Sequence, residues 1–158
     1  MKMFLKIIKI ILASLFTVYI GLVAYELVFQ PKEKRFNIAA GVQGNGLSQA
    51  MFEILNWQHP KYSEAFFERS VPFNKNGDYA TGFYYLNHAV ELNPLEHLGY
   101  RGYMKLRFLR NYKAALADFD RLDAMTPDVV DAPWGEDIDF LRGEAYYGMG
   151  KYAGHTLF

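Results

Sequence analysis

The chain contains no cysteine. That excludes disulfides, thiolate nucleophiles, cysteine zinc ribbons and a lipid-modified cysteine. It carries no net charge either, with 17 basic and 17 acidic residues. A general nucleic-acid binder needs a basic face, so that class is set aside. Histidine is scarce. His59, His88, His97 and His155 are the four, and no pair has a metal-ligand spacing. Sustained strand alternation bounded by turn signals is also missing. What the chain has in quantity is aromatic: 12 Tyr and 13 Phe, within an aromatic share of 17%. Such rings serve cores, grooves and interfaces alike.

The first long feature is apolar. Residues 10–25 hold no charge, and Glu26 is the only one before Phe29. As a helix, Ile10 to Phe29 spans about 30 Å, the thickness of a bilayer core. Lys2, Lys6 and Lys9 precede it. The segment is either a cleaved signal peptide, giving a secreted protein, or an uncleaved anchor. Small residues fit a cleavage site poorly at 22–25, and the run is long for a signal peptide, so residues 1–30 read as a single-pass anchor. Lys32, Lys34 and Arg35 on the far side bring the positive-inside count near a tie. The short N-terminal flank places the N-terminus inside and the domain outside the cytoplasm, in the periplasm if the source is bacterial. A cytoplasm-facing domain is the alternative.

Residues 31–46, charged and then Gly-rich, read as a flexible linker. Residues 47–60 read as a short amphipathic packing helix with Met51, Ile54, Leu55 and Gln58 on one side, covering the first face of the helical region after it. Helical patterns continue at 62–76, 78–92, 96–109, 111–125 and 135–149, with a stub from 151. Asp78 and Asn111 stand as N-caps. The class is all-α.

GDYATGFYYLNHAVELNP (77–94) and NYKAALADFDRLDAMTP (111–127) share their punctuation. At an offset of 33, Tyr79 aligns with Tyr112, Gly82 with Ala115, Leu86 with Phe119, Ala89 with Leu122 and Pro94 with Pro127. Small residues let two helices approach, large ones fill the groove a turn later, and proline ends the unit. Each unit is a two-helix hairpin that cannot bury its face alone. FLRGEAYYGMGKY (140–152) opens a third unit through Gly143, Tyr146, Gly150 and Tyr152. Residues 61–158 thereby resemble the tetratricopeptide repeat (TPR) family, with two full repeats and a partial third. The departures are the missing Trp, Ser70 where Gly is usual, Pro72 inside a first helix with a kink expected there, and an interval of 40 from Tyr112 to Tyr152. The extra length is the connector TPDVVDAPWGEDIDF. The third unit lacks most of its second helix, so its open end is expected to dock on another chain or self-associate.

The resemblance implies an antiparallel helix-hairpin solenoid and a protein or peptide partner on the concave face of its first helices. By position that face takes Glu64, Phe67, Val71, Asn74 and Lys75, then His97, Tyr100, Met104, Arg107 and Phe108, then Asp137, Phe140, Glu144 and Tyr147. Phe67, Asn74, Tyr100, Met104, Arg107, Phe108, Asp137, Phe140, Glu144 and Tyr147 are the candidate binding residues. The carboxylate clamp of some relatives is absent, since Phe67, Val71, Arg101, Asp137 and Leu141 hold its positions. No cofactor, metal or catalytic residue is expected. Nothing ties His59, Glu64 and His88 into a site, GVQGNG lacks a βαβ context, and no serine has a nucleophile-elbow setting. The late acidic residues, Asp118 to Glu144, read as a solvated face. The basic run Arg101, Lys105, Arg107, Arg110 and Lys113 either balances them across helices or meets an acidic partner. The expected protein is a non-catalytic, membrane-anchored scaffold; the alternative is an assembly subunit docking through its last repeat.

Overall fold

A computed structural model describes residues 2–127, 129 and 131–150, leaving the expected Tyr152 and His155 positions and the stub from 151 outside the described residues. Among the described residues there are helices and no strand. They divide into two units, Met1–Pro60 and Lys61–Phe158.

In the first unit, α1 (Lys2–Val28) is one uninterrupted helix. Its stretch Met3–Glu26 is long and apolar enough to cross a membrane or act as a signal anchor, and none of it is buried within the protein. Thr17 donates its hydroxyl to the Ala13 carbonyl at 3.0 Å, so this polar group is satisfied inside its own helix. Glu26, near the end of the span, is paired by Lys34 at 3.1 Å.

The expected linker is a second helix, α2 (Lys32–Gly41). Its polar sequence hides the reason: only Arg35 and Ala39 are buried, one turn apart, against α3 (Gly46–Gln58). Arg35 donates to Gln58 Oε1, and its Nη2 to His59 Nε2 at 3.3 Å. Ser48 donates to the Ala39 carbonyl at 2.8 Å. The glycines act only after α2, where Gly44 turns the chain at φ 93°. Asn45 then caps α3 by accepting from Ser48 N at 2.8 Å. The packing helix therefore has α2 as its partner, through Met51, Phe52 and Leu55.

The second unit is a series of helices in which each packs on the next: α4 (Ser63–Lys75), α5 (Tyr79–Leu92), α6 (Pro94–Arg107), α7 (Tyr112–Met125) and α8 (Ile138–Gly148). α4 with α5 and α6 with α7 form the tightest pairs. Short turns make them antiparallel hairpins, and the two hairpins repeat each other at the offset of 33. Gly77 and Arg110 both take a left-handed backbone, at φ 81° and 49°. Asp78 and Asn111 follow as N-caps, accepting from Thr81 N at 3.2 Å and Ala114 N at 3.3 Å. Leu86 and Phe119 are both fully buried, as are Ala89 and Ala115. The third left-handed turn, Gly150 at φ 72°, comes 40 residues after Arg110. α4 runs through Pro72, whose ring is buried.

Candidate functional site

α4, α6 and α8, the first helices of their units, touch in series. Phe67 on α4 lies edge-on to Tyr100 of α6 at 5.1 Å and stacks on His97 at the same distance. Arg107, at the end of α6, donates to Glu144 of α8 at 2.7 Å. Side chains 30 to 37 residues apart in sequence thus meet across these helices.

Exposure divides the candidates. Asn74, Tyr100 and Met104 are buried, at 4%, 8% and 4% exposure, together with Val71 and His97. They are corrected from groove surface to packing, because Tyr100 and Met104 join Leu86 in one cluster flanked by Phe67, Tyr79, Phe83 and Tyr103. Asp137 is exposed and has a second role. Its carboxylate caps α8, accepting from Asp139 N at 2.8 Å and Phe140 N at 3.3 Å. Phe67 and Glu144 are half-buried, while Phe108, Phe140 and Tyr147 stand well exposed. Phe140 and Tyr147 flank Glu144 on one side of α8, four residues before it and three after.

The acidic stretch is not simply a solvated face. Asp118, 4% exposed, accepts two bonds from Arg101, at 2.7 and 2.9 Å, and one from Lys105 at 2.6 Å. Arg107 holds Glu136 at 2.6 Å besides Glu144. Arg142 reaches Asp120, Asp123 and Asp139 within 3.1 Å. Three members of the basic run, Arg101, Lys105 and Arg107, thus balance the acids across neighbouring helices. The hydrogen bond to Glu136 leads the effects that raise the Arg107 pKa. For Arg142, burial works against the charge and the three carboxylates override it, so its pKa is raised.

Burial dominates the titration of the aromatic row. It lowers the His97 pKa, against the pull of Glu96 and Glu64, and keeps the ring neutral near pH 7. It raises that of Tyr100, opposed by the nearby Asn74 amide. That amide lies close to the Tyr100 side chain without the alignment of a full hydrogen bond, and His97 Nε2 is buried with no hydrogen-bond partner.

Trp134 is the residue that sequence reasoning passed over. It belongs to the connector, as part of the short 3-10 turn Pro133–Gly135. Its ring lies 4.6 Å from Tyr100 and 6.5 Å from Tyr103, yet remains 59% exposed. The available signal was the seven extra residues between units, which contain the only Trp of the repeat region. Among the described residues, no group of three or more His, Asp or Glu side chains is placed to hold a metal ion. Comparison of the chain with protein-family models, with curated proteins and with solved structures finds no match in any of the three.

Proposed function

We propose that the protein is a membrane-anchored TPR-like scaffold that recruits a protein partner on the α4–α6–α8 row and performs no catalysis. The row of exposed rings carries this reading: Phe108, Phe140 and Tyr147 are each more than half exposed, beside the Arg107–Glu136–Glu144 ion pairs. Large rings left in water next to fixed charges are the composition of an interface core with its polar rim. The 33-residue register and the paired N-caps support the family reading. α1 supplies the anchor, with the N-terminus in the cytoplasm and the repeats on the other side.

The test is a crosslinked pull-down of the full chain from its native membrane, alongside a Phe108→Ala, Phe140→Ala, Tyr147→Ala variant. All three side chains are exposed, so the variant keeps its fold. A partner held by the natural chain and lost by the variant is the expected result. Equal capture by both refutes recruitment by this row.

A further inference from the structure

We infer that residues 132–136 are a built-in occupant of the aromatic face, and that the same face takes a peptide with a proline beside an aromatic residue. This deepens the recruiting reading above and rests on it.

The seat for the proline is made by an absence. A Cβ on Gly99 would lie 2.7 Å from Pro133 Cβ and 3.1 Å from its Cγ, so the ring packs where any larger residue would stand. Pro133 is buried there. The seat for the neighbouring ring is Tyr100, with Tyr103 behind it. Aromatic walls with a close-packed proline suit proline-bearing segments, whose ring-fixed φ leaves less conformational freedom to lose on docking.

The occupant is held under tension and by exchangeable contacts. Trp134 sits at φ 58°, ψ 28°, a left-handed conformation that a residue with a side chain adopts only at a cost. The ring contact therefore prevails over local backbone preference. The flanks are tied by the Arg107–Glu136 pair, which is partly open to water, and by Ile138 N to the Asp131 carbonyl at 2.9 Å. The ion pair, being water-exposed, is readily given up. On the same wall, His97 Nε2 is buried and unpaired, one turn from Tyr100 and stacked on the Phe67 that Tyr100 touches.

The probe is a fluorescein-labelled peptide of the connector itself, TPDVVDAPWGEDID (residues 126–139), titrated into full-length protein in detergent and read by anisotropy. The expected result is at least tenfold tighter binding to the Pro133→Ala, Trp134→Ala chain, whose own seat is empty, than to the natural chain. A peptide with its tryptophan replaced by alanine is expected to bind neither. Glu136→Gln, a change at a water-exposed tie, keeps the test open should the double variant fail to fold; it is expected to tighten binding about two- to fivefold. Equal binding to all chains, binding of the tryptophan-free peptide, or no binding to either variant overturns the inference. A chain that captures its membrane partner through Phe108, Phe140 and Tyr147 yet ignores the peptide keeps the scaffold reading and discards this one. Peptide binding without partner capture does the reverse.

Discussion

Two glycines show how a single hydrogen decides a hairpin. A Cβ at Gly82 would meet Asn74 Cγ at 2.6 Å and its backbone N at 3.2 Å. Asn74 is buried and has nowhere to retreat. Gly82→Ala should therefore destabilise by about 1–3 kcal/mol, read as a shifted urea midpoint. Gly143, on the open side of α8, has nothing within 4 Å of the same position. Gly143→Ala should stabilise by about 0.5–1 kcal/mol through helix propensity alone. Similar costs at both sites would mean that close approach is not what the first glycine provides. His97 makes a second residue-scale case. Its folded pKa lies below the 6.5 of the open chain, so the unfolded state takes up the proton more readily. Its contribution to stability is complete above pH 6.5 and falls away as pH drops through the lowered value. Thermal melts from pH 7.5 downward should lose ground below about 6.5, and His97→Gln should remove that part of the loss. An unchanged acid slope in the variant would assign it to other groups.

At the scale of elements, the helices and their caps were legible and the electrostatics were not. Close helix packing demands small residues at fixed places and large ones a turn later, so Gly82, Ala115, Leu86 and Phe119 wrote the hairpins into the chain at a constant offset. Caps add local signals at Asp78 and Asn111. The partner of Asp118 lies 17 residues away on another helix, and only the packed hairpin brings Arg101 and Lys105 to it. The repeat register also exposes a mismatch. Arg110 stands at φ 49°, where the first hairpin has Gly77 and the third unit has Gly150. Arg110→Gly should gain about 0.5–1 kcal/mol, the left-handed cost less the entropy of a glycine. Asp118→Ala should lose about 3 kcal/mol, because it strands two cations at a buried point. Glu136→Ala, a partner near the surface, should lose less than about 1 kcal/mol. Denaturant titration of the three variants ranks them, and an Asp118→Ala as mild as Glu136→Ala would show that its ion pairs carry little stability.

For the whole molecule, the apolar span was plain from its length, whereas α2 was concealed. Residues 32–41 look like a polar linker because a helix that buries only Arg35 and Ala39 leaves almost no apolar period. The connector was concealed for the opposite reason: outside a helix there is no period, so only its extra length and its Trp hinted that Pro133 and Trp134 would return to α6. The candidate face was correspondingly half legible. Its helices were found by position, but burial of Asn74, Tyr100 and Met104 comes from tertiary packing that no spacing encodes.

If α1 is the proposed anchor, the side of the membrane on which the second unit stands is a property of the entire chain, and the absence of cysteine makes it measurable. Lys2, Lys6 and Lys9 flank one end of α1, and Lys32, Lys34 and Arg35 the other, so charge counts alone are nearly balanced. Folding removes Arg35 from solvent, yet insertion precedes folding, so its charge still counts when orientation is set. Asn76 lies exposed in the α4–α5 turn, and Asn76→Cys would be the sole thiol in the protein. On intact cells, a membrane-impermeant maleimide should label it fully. Labelling only after lysis would place the repeats in the cytoplasm. The same variant lacking residues 1–30 should leave the membrane pellet in a carbonate wash, whereas the full chain stays. Retention of the shortened chain would transfer the anchoring role from α1 to the exposed rings of the second unit.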